Sequence, residues 1–171
     1  DFADFDSELS IRQDHEANGL NIPSLGSTYE SMNRWLGRGN RVMAMSKVHV
    51  PYRRRFDGEL TSVSIPDHVD ILYELANGAQ VHMKLSRTTG LSRGLQIWIY
   101  GTEGTIHVND QQDVFAGSRG DSQLREVPNP PEEQSYRRVE EEFINAIRGI
   151  EEVKMDTFEI GLYYMEFTEA V

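Results

Sequence analysis

Residues 68–86 read HVDILYELANGAQVHMKLS. Val69, Ile71, Tyr73 and Leu75 alternate with His68, Asp70 and Glu74, the period of two expected of a strand with one buried face. Asn77-Gly78 is a turn signal, after which Val81, Met83 and Leu85 alternate with Gln80, His82 and Lys84. Two half-buried strands joined by a short turn make an antiparallel hairpin, and such a hairpin needs something apolar to cover one of its faces.

The chain on either side supplies more strands and then the cover. IWIYGTEGTIHV, residues 97–108, is a second hairpin, with Ile97 and Ile99 on one arm, Ile106 and Val108 on the other, and Gly101 to Gly104 at the bend. Shorter strands follow at Val114-Phe115 and from Leu124 to Val127, and Pro128, Pro130 and Pro131 then break the pattern. Two amphipathic helices come next, one striped by Tyr136, Val139, Phe143 and Ile147, the other by Ile160, Tyr164, Phe167 and Val171 with its cap near Asp156 or Thr157. Before the first hairpin, Val42 to Val50 reads as a strand and Ser27 to Leu36 as a helix. Ser27 and Glu30 have the spacing of a capping box, Tyr29, Met32 and Leu36 share a face, and Gly37 and Gly39 end the helix. Helix, run of hairpins and paired helices predict an α+β fold: a largely antiparallel or mixed open sheet with helices on one face. At 171 residues, with no internal repeat and no long linker, a single domain over 1–171 is expected.

Composition excludes several function classes. Seventeen basic against 28 acidic residues leave a net charge of -11, which repels nucleic acid and anionic membranes. The one basic cluster, Arg53-Arg54-Arg55, flanked by Tyr52 and Phe56, has the chemistry to hold a phosphate or carboxylate, but reads first as a solvated loop offsetting neighbouring acids. No apolar run is long enough for a membrane span, nothing resembles a signal peptide, and there is no Cys, so a cytoplasmic location is expected. His15, His49, His68, His82 and His107 lack any spacing that puts two on one face of an element, so no metal site is expected. A dinucleotide fingerprint needs G-x-G-x-x-G between a strand and a helix. Gly37-Arg38-Gly39 has Val42 at the third position, and Gly101 to Gly104 leads from strand to strand, so both read as turns. Trp35 and Trp98 lie among core-type residues and read as packing.

Four segments, in order, resemble the C-terminal domain of the Gfo/Idh/MocA oxidoreductases. SLGSTYESMNRWLG, residues 24–37, is similar to the family's D-x-G-x-H-x-x-D-x-x-R-W-L-x-G helix, DILYELANGAQVHMKLS to its pair of strands across Asn-Gly, IYGTEGTIHV to its E-I-x-G-x-x-G-x-L hairpin, and TFEIGLYYMEFTEA to its terminal helix. The resemblance implies an α+β domain like the C-terminal domains of dihydrodipicolinate reductase and glyceraldehyde-3-phosphate dehydrogenase. It further implies a partner Rossmann domain holding NAD or NADP, here absent from the chain, so that the chain is expected to be truncated at both ends and inactive alone. A sugar, polyol or related hydroxy compound is the implied substrate, and a homodimer or tetramer through the open sheet face the implied assembly. Where the family has its Asp and His, this chain has Ser24 and Thr28, neither of which titrates near neutral pH. Asn21, Ser24, Thr28 and the upstream His15 are the substrate-binding candidates, the proton acceptor is unassigned, and no residue of this chain is assigned to the cofactor. Two other readings of Ser24 and Thr28 stand beside this one: a helix cap with local packing, and a binding or scaffolding member of the fold that has lost catalysis.

Overall fold

The computed structural model describes residues 2–19, 22–130, 138–153 and 157–171. Its elements, in order, are α1 (His15–Asn18), α2 (Leu25–Leu36), β1 (Gly39–Lys47), β2 (Tyr52–Arg54), β3 (Leu60–Ser62), β4 (His68–Leu75), β5 (Gln80–Ser86), β6 (Ile97–Tyr100), β7 (Gly104–Val108), β8 (Val114–Ser118), β9 (Arg125–Val127), α3 (Val139–Ile147) and α4 (Phe158–Ala170). The fold is α+β, and among the described residues every strand pair is antiparallel, with one isolated parallel bridge between Glu8 and Arg54. The chain divides into two compact units, Asp1–Leu91 with Asp156–Val171, and Ser92–Met155.

The first unit is built on the sheet β1-β4-β5, with β4 in the centre. Leu75 N–H donates to Ala79 O, Gly78 takes φ 86, and the Asn77 side chain accepts from Ala79 N–H, so the Asn-Gly turn closes the hairpin. Val69, Ile71, Tyr73, Leu75 and Met83 are buried on one face. Helix α2 covers that face with Leu25, Tyr29 and Met32, spaced to fall on one stripe, and α4 adds Phe167. Tyr29 and Phe167 stack in parallel with centroids 3.7 Å apart, and Tyr73 meets both edge-on at 5.8 and 5.3 Å. The Tyr29 hydroxyl accepts from Gly39 N–H at 3.1 Å, tying the middle of α2 to the start of β1. Burial pushes the Tyr73 phenol up to about 12. The opposite sheet face leaves Met43, Met45 and Leu72 more than half exposed.

Several expectations are corrected. Ser27 does not cap α2: its hydroxyl donates to Ser24 O inside the first turn, and Ser24 is the cap residue, so the helix begins two residues earlier than the spacing suggested. The Arg53–Arg55 run is not a solvated loop, since Arg53 and Arg54 lie on β2, which pairs with β3. Arg53 is buried and its guanidinium bonds to the Ser7 carbonyl and hydroxyl, while Arg55 pairs with Asp14 and Glu16 at 3.5 and 3.9 Å. These acids flank or form α1, a turn of helix that the sequence did not announce. Trp35 and Trp98 are not core residues but are about half exposed, at 56% and 48%. His68 on β4 and His82 on β5 share a face, both bonding Asp70 (2.8 and 3.2 Å), a contact across strands that linear spacing cannot reveal. The carboxyl of Asp70 is lowered chiefly by the His68 hydrogen bond.

The second unit is the sheet β6-β7-β8-β9 with α3. Trp98, His107 and Phe115 stand opposite one another on adjacent strands and stack in a row, with Tyr100 beside Trp98. At the turn, a Cβ on Gly104 would lie 2.4 Å from Gly117 O, so the close approach of these strands requires glycine there. On α3, Val139, Phe143 and Ile147 form the expected stripe and are exposed; Tyr136 lies outside the described residues.

Candidate functional site

Ser24 is the starting point because it sits at the N-terminus of α2 in the left-handed region, φ 72 and ψ -2, without capping the helix through its side chain. A non-glycine residue held there costs of order 1 kcal/mol, and such costs concentrate at functional positions. The first turn of α2 holds no acidic residue, so its free N–H groups face no intrahelical counter-charge.

What lies against Ser24 follows from the hairpin register. His68 pairs with Ser86 at the open end of β4-β5, and one residue further out Arg87 N–H donates to Asp67 O at 2.8 Å. Asp67 and Arg87 lie one residue beyond the ends of β4 and β5, in step with the inward Val69–Ile71 and Leu85–Met83 series. There a cavity of about 120 Å³ is lined by Ile22, Pro23, Ser24, Pro66, Asp67, Leu85, Ser86 and Arg87. Asp67 is 8% exposed, and its carboxylate accepts from His49 N–H and Val50 N–H at 2.9 to 3.0 Å. Three contacts leave lone pairs over for a further donor. Among the described residues Arg87 forms no ion pair, and its side chain is exposed.

The four substrate-binding candidates fare differently. Ser24 lines the cavity; Thr28 is half-buried one turn on and does not, its N–H closing the first turn on Ser24 O at 3.0 Å. His15 lies exposed on α1, away from the cavity lining, beside Asp14 and Glu16 that hold Arg55. Asn21 lies outside the described residues. The sequence reading missed Asp67, Ser86 and Arg87. Counting outward from Asn77-Gly78 as a two-residue turn would pair 67 with 88; the observed loop holds three residues between Leu75 and Ala79 and so brings 67 opposite 87, and nothing local says that α2 begins over that end of the hairpin.

A dinucleotide would need a glycine loop leading from a strand into a helix N-terminus. Gly37 and Gly39 instead lead from α2 into β1, and Gly101 to Gly104 joins β6 to β7. Neither glycine pair is placed to cradle a pyrophosphate. No group of three potential ligands among them is arranged to hold a metal ion, and no described helix is long and apolar enough to cross a membrane.

The family model for the GFO/IDH/MocA C-terminal domain matches residues 3–107. Among solved structures, apo levoglucosan dehydrogenase superposes with a TM-score of 0.84 at 20% identity, covering 99% of this chain and 52% of its own. It is also known in complex with NADH and levoglucosan. An NAD binding oxidoreductase from Klebsiella pneumoniae gives 0.75 at 19% identity, covering 98% and 52%, and the transcriptional regulator Gal80p from Kluyveromyces lactis gives 0.71 at 19%, covering 96% and 46%. The chain thus spans about half the length of the structures it matches. No curated protein sequence matches it. With a family model matching more than half of its residues and a fold shared nearly end to end with these structures, the chain belongs to the GFO/IDH/MocA C-terminal domain family.

Proposed function

We propose that this chain, both units together, is the substrate-side and oligomer-forming domain of an NAD- or NADP-dependent oxidoreductase acting on a sugar, polyol or related hydroxy compound. The dinucleotide is held by a separate domain of the same polypeptide. The observation that carries this reading is the cavity at the start of α2. At the family's motif positions on α2 stand Ser24, which lines the cavity, and Thr28, which does not; neither can take up a proton near neutral pH, but Asp67 brings a carboxylate to the cavity that Ser24 lines. Asp67 can accept a hydrogen bond from a substrate hydroxyl and fix its direction, with Ser24 as a neutral neighbour. Asn21, Thr28 and His15 remain candidates for contacts further along the substrate.

A full-length protein carrying this domain should reduce NAD⁺ or NADP⁺ with a member of a polyol and aldose panel, and this chain alone should bind neither NADH nor NADPH by calorimetry. Low-micromolar binding by the chain alone would remove the division of labour. In the full-length protein Thr28→Val, which keeps shape and deletes the hydroxyl, should lower kcat/KM about tenfold if Thr28 touches substrate, one ordinary hydrogen bond's worth.

A second reading, a binding or scaffolding member without turnover, is favoured by the loss of both ionisable motif residues and by the likeness to a transcriptional regulator. Saturable binding of a sugar to the full-length protein with no dinucleotide reduction would decide for it.

A further inference from the structure

The Arg87 side chain contributes no polar contact to the fold among the described residues. Its backbone N–H closes the end of the hairpin on Asp67 O, but its guanidinium forms no hydrogen bond or ion pair among the described residues, on a chain of net charge -11. It nevertheless lines the cavity at Ser24. In the same cavity Asp67 is buried and its charge is already met by two backbone N–H groups, so it is not the counter-ion of Arg87. The cavity therefore presents an acceptor, Asp67, with Arg87 as an available cation beside it.

We propose that Arg87 is a specificity-determining residue that recognises a carboxylate on the substrate, so that the compound handled here is a hydroxy acid of the sugar series and not the neutral sugar or polyol. The inference rests on the reading that this cavity is the substrate site. A guanidinium matches a planar carboxylate through two parallel N–H groups, whereas a neutral polyol gains little from a cation that water already solvates. The charge balance selects a monoanion. One Arg87 neutralises one carboxylate, but a phosphate dianion would bring a second negative charge next to Asp67 with nothing to compensate it. A cavity of about 120 Å³ admits one end of a sugar chain, so the acid group enters at Arg87 and a neighbouring hydroxyl donates to Asp67.

The test uses the full-length protein with matched probes: glycerate against glycerol, threonate against erythritol, gluconate against sorbitol, glucuronate against glucose, and sorbitol 6-phosphate as the dianion. Calorimetry measures binding, and NAD⁺ or NADP⁺ reduction is followed in parallel. At least one acid should bind ten- to a hundredfold more tightly than its neutral partner, and more tightly than the phosphate. Arg87→Gln should collapse that ratio at least tenfold with the melting temperature unchanged, and Arg87→Lys, which keeps the charge but loses the fork, should fall between. Absence of any acid preference, or a preference that survives Arg87→Gln, would overturn the proposal even if neutral polyols are oxidised. Arg87-dependent acid binding without reduction of either dinucleotide would leave the proposal standing and defeat the dehydrogenase reading.

Discussion

Removing the Phe167 ring should unfold the first unit more than any other single truncation on α4. The ring is 6% exposed, stacks on Tyr29 at 3.7 Å and meets Tyr73 edge-on at 5.3 Å, so one side chain joins α4 to both α2 and the central strand. Phe→Ala in a packed core costs about 3–5 kcal/mol from lost transfer energy and the cavity left behind, and the aromatic pairing lost with it falls within that range. For a chain of this length that corresponds to a fall in Tm of roughly 6–20 °C. The assay exploits the distribution of the two tryptophans, Trp35 in the first unit and Trp98 in the second. In a Trp98→Phe background, urea unfolding followed by Trp35 fluorescence reports the first unit alone. Phe167→Ala should move that midpoint strongly, and Phe167→Leu, which refills most of the volume, by less than half as much. A Phe167→Ala loss below about 1 kcal/mol would refute the claim that this cluster, and not the sheet hairpin by itself, holds α4 in place.

Three further outcomes are expected. Tyr73 titrates near 10 when unfolded and at about 12 when folded, so the native state keeps a proton that the unfolded chain loses. The resulting stability is fully present below pH 10 and is lost between pH 10 and 12, about 2–3 kcal/mol in all; Tyr73→Phe should flatten that limb of a stability–pH curve, and an unchanged slope would count against the burial of the phenol. Gly104→Ala places a methyl group 2.4 Å from a backbone carbonyl and should cost the second unit about 1–3 kcal/mol, read by Trp98 fluorescence in a Trp35→Phe background. If the proposed assembly forms through the uncovered face of the three-stranded sheet, sedimentation should find dimers or tetramers that Met45→Glu dissociates, while a wild-type monomer at the highest concentrations would exclude that face.

Much of the architecture was legible in the chain because it is written in local terms. The alternation in residues 68–86 names the buried face and the turn, and the register of 97–108 follows by counting from its bend, whereas that of 68–86 depends on a three-residue loop that sets inward residues opposite inward ones. The stripes of α2 and α4 are likewise periodic, so Tyr29, Met32, Tyr164 and Phe167 point inward as read. Capping was misread at Ser27 because a capping-box spacing is satisfied equally well inside a first turn, and only the backbone angles at Ser24 distinguish the two. Arg53 was misread because charge patterning assumes solvent, whereas the N-terminal segment folds over β2 and supplies the Ser7 carbonyl and hydroxyl.

By itself, then, the sequence determined the element types, the two principal hairpins and the apolar faces of the sheet and of α2, since each depends on residues within one or two turns of each other. The tertiary structure alone decided which distant residues meet. Ser24 lies 43 positions from Asp67 and 63 from Arg87, and they share a cavity only because α2 begins over the open end of the β4-β5 hairpin. His68 and His82 share Asp70 only because antiparallel pairing brings their strands side by side. The direction in which a helix crosses a sheet is set by the sum of many weak apolar contacts, none of which leaves a signature of its own in the chain.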